Sequence, residues 1–262
     1  MKNSSFDLNV RYLDFDGRKI EIDYISSLCS DELIAYLVEG ITNAKGKTLK
    51  DCLNNGDVKE ELNKENVAER LKDADGIIVP GGFGDRGIAG MIDAIEYART
   101  NKVPLLGICL GMQLITIEYA RNVCGIKDAN SLEFDELCKN PVINLMSDQS
   151  LEDMGGTQRL GDYECQLNPG THAYRLYGKE MIKERHRHRY EFNNNYKDVL
   201  VENGLKVAGF NPERNLVEIV ELEDHPYYVG CQFHPEFTSR PNRAQPLFQG
   251  LISAAHDRKY NK

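Results

Sequence analysis

The sequence predicts an α/β fold with a mostly parallel central sheet and helices on both faces. Two observations predict it. Between residues 76 and 123 the chain alternates apolar run, helical pattern, apolar run, helical pattern. The apolar runs are continuous instead of alternating with polar residues, which marks strands buried on both faces, as parallel sheets require.

The elements follow in order. Asn9 to Phe15 reads as a strand, with Val10, Tyr12 and Leu13 supplying the β-type residues. Asp31 to Ala74 is polar and rich in Lys, Glu and Asn, and Leu33, Tyr36 and Leu37 fall at helical spacing. Surface helices and loops are expected there. Within it, Gly40 to Thr48 resembles a phosphate-binding loop, but five residues separate its glycines where that loop needs four. A solvated Lys/Gly turn is the better reading. Gly76 to Pro80 is an apolar run ending in a Gly-rich turn, and Ile88 to Thr100 reads as a helix. Val103 to Cys109 is a second apolar run. Leu110 to Val123 is a second helix, with Leu114, Ile117 and Ala120 on one face. Leu216 to Leu222 and Tyr227 to Phe233 are strand-like.

Composition bounds the function. The chain has 262 residues, of which 41% are hydrophobic and 28% charged, ordinary values for a globular protein with a sizeable core. Its net charge of −9 argues against nucleic acid as a partner. No apolar run is long enough to span a bilayer, and Met1 to Val10 lacks the apolar centre of a signal peptide. Seven cysteines lie without metal-type or disulfide-type spacing. A reducing, cytoplasmic compartment, mostly structural thiols and no metal site are expected.

One cysteine stands apart. Gly107-Ile108-Cys109-Leu110-Gly111 places Cys109 between an apolar strand and a helix, the cysteine counterpart of a nucleophile elbow. A sharp strand-to-helix turn strains the nucleophile's backbone and crowds its flanks, so residues without side chains are needed two positions away on each side. The sulfur then sits at a helix N-terminus, where the dipole and free N–H groups favour thiolate. The Leu110 N–H is placed to stabilise an oxyanion. Pro80-Gly81-Gly82-Phe83-Gly84 ends the preceding strand. In a parallel sheet ligands bind beyond the carboxyl ends of strands, so N–H groups of Gly82 or Phe83 could complete the oxyanion hole.

A cysteine nucleophile needs a base held by a third group. Gln232-Phe233-His234-Pro235-Glu236 follows the last strand, which puts His234 at a strand end with Glu236 fixed beside it by Pro235. His172, His225 and His256 lie in polar surroundings and are expected to be solvated. In the run Glu184 to Glu191, strand alternation would set Arg185, Arg187 and Arg189 on one face and His186, His188 and Tyr190 on the other. A small-anion site suits that run better than a nucleic-acid patch in an acidic chain.

These motifs resemble the class I glutamine amidotransferases. The segments Pro80 to Met91, Gly155 to Gly161, Glu184 to Asn193 and Cys231 to Arg240 are similar to the CTP synthase members of that group. The resemblance implies that Cys109 attacks the side-chain amide of L-glutamine to form a thioester, with His234 as base and acid and Glu236 orienting it. It implies that Gly82, Phe83, Leu110, Gln113, Glu133 and Arg189 bind the substrate. It further implies a single glutaminase domain over 1–262, with no cofactor of its own and GTP as allosteric activator. The partner is a synthetase domain of the same polypeptide that uses ATP and Mg2+ to aminate UTP, in a homo-oligomer, a tetramer. That domain, and the first strand–helix unit usual in the family, are outside the sequence. Leu132 stands where the family commonly has threonine. Two other readings fit the residues: an amidotransferase serving a different synthetase, and a non-catalytic relative. GTP stimulation would separate the first from the CTP synthase type. Labelling by a glutamine-mimicking electrophile would separate the second.

Overall fold

A computed structural model of the chain describes residues 7–15, 18–26, 62–84, 87–145, 159–240 and 243–260. The phosphate-loop-like stretch at 40–48, most of the polar segment 31–74 and the segment 155–158 lie outside these residues. The elements run in the order β1 (Asp7–Phe15), β2 (Arg18–Ser26), α1 (Val67–Leu71), β3 (Gly76–Val79), α2 (Ile88–Asn101), β4 (Leu105–Ile108) and α3 (Leu110–Asn122). There follow β5 (Ala129–Ser131), β6 (Asn140–Leu145), β7 (Arg159–Leu167), α4 (His172–Tyr177), β8 (Met181–His188), β9 (Tyr190–Phe192) and α5 (Lys197–Glu202). The chain closes with β10 (Lys206–Asn211), β11 (Leu216–Glu221), β12 (Tyr228–Cys231) and α6 (Pro246–Tyr260).

Among the described residues the main sheet has nine strands in the order β1-β2-β3-β4-β12-β11-β10-β7-β8. The predicted α/β class is what is observed, but the sheet is mixed. Strands β2, β3, β4 and β12 are mutually parallel. The pairs β1/β2, β12/β11, β11/β10, β10/β7 and β7/β8 are antiparallel. The short links from β10 to β11 and from β11 to β12 leave no room for a crossover helix, so those strands must return alongside their predecessors.

Both faces of the parallel strands are dry. Ile77, Val79 and Leu105 join one apolar cluster with α1, α2 and α3, while Ile78, Leu106 and Ile108 join another with α6. Alternate residues of one strand thus serve opposite cores, which is why the runs read as continuously apolar. Helix α3 is buried at every residue from Leu110 to Ala120, not along a single face. It is enclosed by the sheet, by α2 and by a small second sheet of order β5-β6-β9. A bidentate pair from Arg99 to Glu118, with its shortest contact 2.6 Å, ties α2 to α3.

Candidate active site

Cys109 is the residue between β4 and α3, and its backbone is strained: φ is 51° and ψ is −100°. Few non-glycine residues tolerate positive φ, and such strain clusters at functional sites. The flanking glycines answer to the close packing the elbow requires. A Cβ on Gly107 would lie 2.6 Å from Ile115 Cδ1 and 2.7 Å from the Gly111 carbonyl carbon. A Cβ on Gly111 would lie 3.0 Å from the Val79 carbonyl carbon and nearer still to its oxygen. The turn is pinned by the Cys109 N–H, which donates to the Cys231 carbonyl at 2.7 Å. Cys109 is 3% exposed.

His234 follows β12, the strand paired in parallel with β4, so both residues emerge from adjacent carboxyl strand ends. Its N–H donates to the Arg185 carbonyl at 2.8 Å, which fastens it to β8. Its Nδ1 lies 2.6 Å from Glu236 Oε1, and its ring stacks on Phe237 at 5.1 Å. Burial opposes charge on this imidazole. The Cys109 sulfur and the Glu236 carboxylate together outweigh burial and hold His234 protonated up to about 10. The predicted orienting role of Glu236 thus has a bond to rest on. Gly81 closes the group: a Cβ there would meet His234 Cε1 at 2.9 Å and Cys109 Cβ at 3.4 Å.

Of the predicted substrate residues, Gly82, Phe83, Gln113, Glu133 and Arg189 line one pocket together with Cys109. Leu110 adjoins it as the first residue of α3. Glu133 Oε1 accepts from the Gly84 N–H at 2.9 Å. Burial raises the Glu133 carboxyl, with the Gly84 N–H and Arg189 pulling it back. Phe83 forms the rim, 57% exposed, with the Arg187 guanidinium 5.9 Å from its ring centre.

The alternation predicted for the basic run holds through β8: Arg185 and Arg187 are exposed, and His186 and His188 are buried. It breaks at Arg189, which sits in a bend between β8 and β9 and so lines the pocket instead of extending the face of Arg185 and Arg187. Sequence reasoning missed four participants. His188 and Tyr190 line the pocket, Gly81 spaces the two chemical groups, and the buried Gln232 aims Nε2 at Cys109 Sγ over 3.7 Å. Their one signal in the sequence was that all four lie inside the quoted segments Pro80 to Met91, Glu184 to Asn193 and Cys231 to Arg240.

The other histidines differ from expectation. His225 is buried, with Nε2 donating to the Ala98 carbonyl at 3.1 Å and Nδ1 accepting from the Tyr227 N–H. Burial is the main cause lowering it to about 4. His172 opens α4 and His256 lies in α6, both half-buried. The cysteines among the described residues are free thiols, and no group among those residues could hold a metal ion. No helix among them is long and apolar enough to cross a membrane.

A strained cysteine elbow, a histidine–carboxylate pair and a pocket with one acid and one arginine thus meet at the carboxyl ends of the parallel strands. A profile of the family "Glutamine amidotransferase class-I" matches residues 47–254. The chain therefore belongs to the class I glutamine amidotransferases. Within that class its similarity is to the CTP synthases. It is 57% identical to the CTP synthase of Geobacillus kaustophilus over 75% of this chain and 37% of that protein. It is 59% identical to the CTP synthase of Clostridium acetobutylicum over 75% and 37%. Among solved structures, the Trypanosoma brucei CTPS glutaminase domain with bound acivicin is 31% identical. It matches with a TM-score of 0.72 and covers 86% of each chain. The chain spans a little over a third of the length of the curated relatives it matches.

Proposed function

We propose that this chain is a glutaminase domain that hydrolyses L-glutamine to glutamate and ammonia through a thioester on Cys109. The observation that carries the reading is Cys109, strained at the head of α3, facing an imidazole that Glu236 and the sulfur keep charged. A sulfur beside an imidazolium and a helix N-terminus works as a thiolate. It attacks the amide carbon, and the oxygen that gains charge is met by the Leu110 N–H and by the Gly82–Phe83 turn. His234 gives its proton to the departing ammonia, then takes one from the water that cleaves the thioester. Glu236 orients the ring through both halves. Glu133 suits the α-ammonium group of glutamine, Arg189 its carboxylate, and Gln113 the space between.

The similarity to CTP synthases supports a destination for the ammonia. A synthetase domain of the same polypeptide would use ATP and Mg2+ to aminate UTP to CTP, with GTP activating the glutaminase step. A cytoplasmic homo-oligomer, a tetramer, belongs to the same reading. The test is glutamate release from glutamine by the chain alone, then with the upstream domain and with GTP. Activity lost in Cys109→Ala is expected; hydrolysis surviving that change would end the reading.

A further inference from the structure

Behind the pocket lies a set of buried charged and polar groups that the reaction above does not use. Arg159, His186, His188, Glu191 and Glu218 are each less than 5% exposed. Arg159 Nη1 bonds Glu218 Oε1 at 2.5 Å and lies 3.8 Å from Glu191 Oε1. His186 Nδ1 and His188 Nε2 are 2.8 Å apart, and His188 Nδ1 is 3.1 Å from the Tyr190 carbonyl oxygen. His186 Nε2 and Glu218 Oε2 face each other at 3.5 Å, and neither has a hydrogen-bond partner among the described residues.

These contacts fix where the protons are. The Tyr190 carbonyl can only accept, so His188 Nδ1 donates. Neutral His188 then accepts at Nε2, so His186 Nδ1 donates to it. Neutral His186 is left with a lone pair at Nε2 aimed at Glu218 Oε2. Two lone pairs would repel there, whereas one proton on Glu218 satisfies both atoms. At the Tyr190 carbonyl this direction ends, because that oxygen also accepts from Gln113 on its far side. Gln113 Nε2 donates to the Tyr190 carbonyl at 2.9 Å and to Gln232 Oε1 at 3.3 Å, and Gln232 Nε2 donates to Cys109 Sγ at 3.7 Å.

We propose that Glu218, His186 and His188 are positioning residues for the nucleophile. They form a buried, one-directional hydrogen-bond relay from a protonated Glu218 to the Tyr190 carbonyl, where Gln113 and Gln232 carry the order on to Cys109. The relay rests on the glutaminase reading for its consequence, but its geometry stands without it. Arg159 and Cys165 face Glu218 from β7, His186 faces it from β8, and Glu191 reaches it through Arg159 from β9. Charged His234 faces both relay imidazoles. Burial, then Arg159 and His234, keep His188 neutral down to about 3, and burial keeps His186 neutral lower still. Burial raises Glu218 to about 7 against the pull of Arg159. When Glu218 ionises, His186 must turn its proton to Nε2 and His188 must donate from Nε2. That sets a bare Nδ1 against the Tyr190 carbonyl and removes the relay's last link.

Histidine nitrogen NMR on the whole chain tests the geometry. At pH 6 both His186 and His188 are expected as Nδ1–H tautomers, changing together with a midpoint near 7. His188 found as Nε2–H at pH 6 would overturn the relay. Glutamine kinetics test its use. Glu218→Gln keeps a permanent donor to His186, so kcat should stay within about threefold and any step near pH 7 should vanish. Glu218→Leu and His188→Leu should lower kcat about tenfold, the weight of one positioning hydrogen bond, with KM changed less. Equal losses in Glu218→Gln and Glu218→Leu, at an unchanged pH profile, would reduce Glu218 to an ion-pair partner of Arg159 and overturn the proposal. An unaltered chain without glutaminase activity would refute the glutaminase reading, and the tautomers would still decide the relay.

Discussion

Gly111→Ala is a one-methyl test of the elbow. The new Cβ would be driven into the Val79 carbonyl, 3.0 Å from its carbon and closer to its oxygen. Val79 is the last residue of β3 and is fully buried, so the obstacle is backbone in the middle of the sheet and not a side chain that can swing away. Helix α3 must therefore shift away from β3. Overpacking of this kind costs about 1–3 kcal/mol. At about 2 kcal/mol, a domain of this size loses about 4–8 °C in Tm. The same shift moves the Cys109 sulfur relative to His234 and the Gly82 turn, and a displacement of about 1 Å can cost about a hundredfold in rate. Gly125→Ala is the matched control. Gly125, unlike Gly111, has a positive φ, 75°, and nothing lies within 4 Å of its Cβ position. It should lose only the backbone strain, about 1–2 kcal/mol, and keep its kcat. Thermal unfolding and glutamine turnover on both variants decide. A Gly111→Ala protein with unchanged Tm and unchanged kcat would show that α3 does not depend on this close approach, and the account of the elbow would fail.

Three other outcomes are expected. His234→Ala should lower glutamine turnover by about 10²–10⁴, with Glu236→Ala doing less harm because it only orients the ring; equal losses in two folded variants would contradict that ranking. Arg189→Ala should raise KM for glutamine about tenfold to a hundredfold while a small neutral thiol reagent still modifies Cys109. A lower Tm with unchanged KM would instead make Arg189 a purely structural residue. The third concerns pH: His234 is raised to about 10 from 6.5, so the folded state binds its proton more tightly than the unfolded chain. Its contribution to stability is complete below about pH 6.5 and is lost as pH rises through about 10. The Tm difference between the unaltered chain and Cys109→Ala should shrink across that range, and a difference that stays flat would refute the influence of Cys109 on His234.

How much of this was legible follows from how local each piece is. The elbow and the His-Pro-Glu segment are contiguous, and their chemistry needs neighbours only two residues apart, so the sequence displayed them. Glu133 and Arg189 were reachable through resemblance alone, because a carboxylate after β5 and an arginine after β8 come together only in the folded chain. His225 was misread because Glu223, Asp224 and Pro226 look like a solvated turn. Its ring is instead satisfied by a carbonyl 127 residues away. The antiparallel half of the sheet was hidden for a related reason: periodicity reports which face of a strand is buried, not the direction of its partner.

The same limit explains why the buried relay escaped the sequence while the residues beside it did not. In the run Glu184 to Glu191 alternation correctly separated the histidines from Arg185 and Arg187, but it could not say what the histidines meet. They meet Glu218, and the reason is register. Strand β11 pairs with β12 so that the Gln232 N–H donates to the Glu218 carbonyl at 2.8 Å. That one backbone bond sets Glu218 directly across from the segment that carries both Gln232 and His234. A slip of one residue would turn the Glu218 side chain to the opposite face of the sheet, leaving Arg159 and His186 without their carboxylate. The β11–β12 register therefore fixes two arrangements at once, the base beside the sulfur and the relay behind it, and neither could shift without the other.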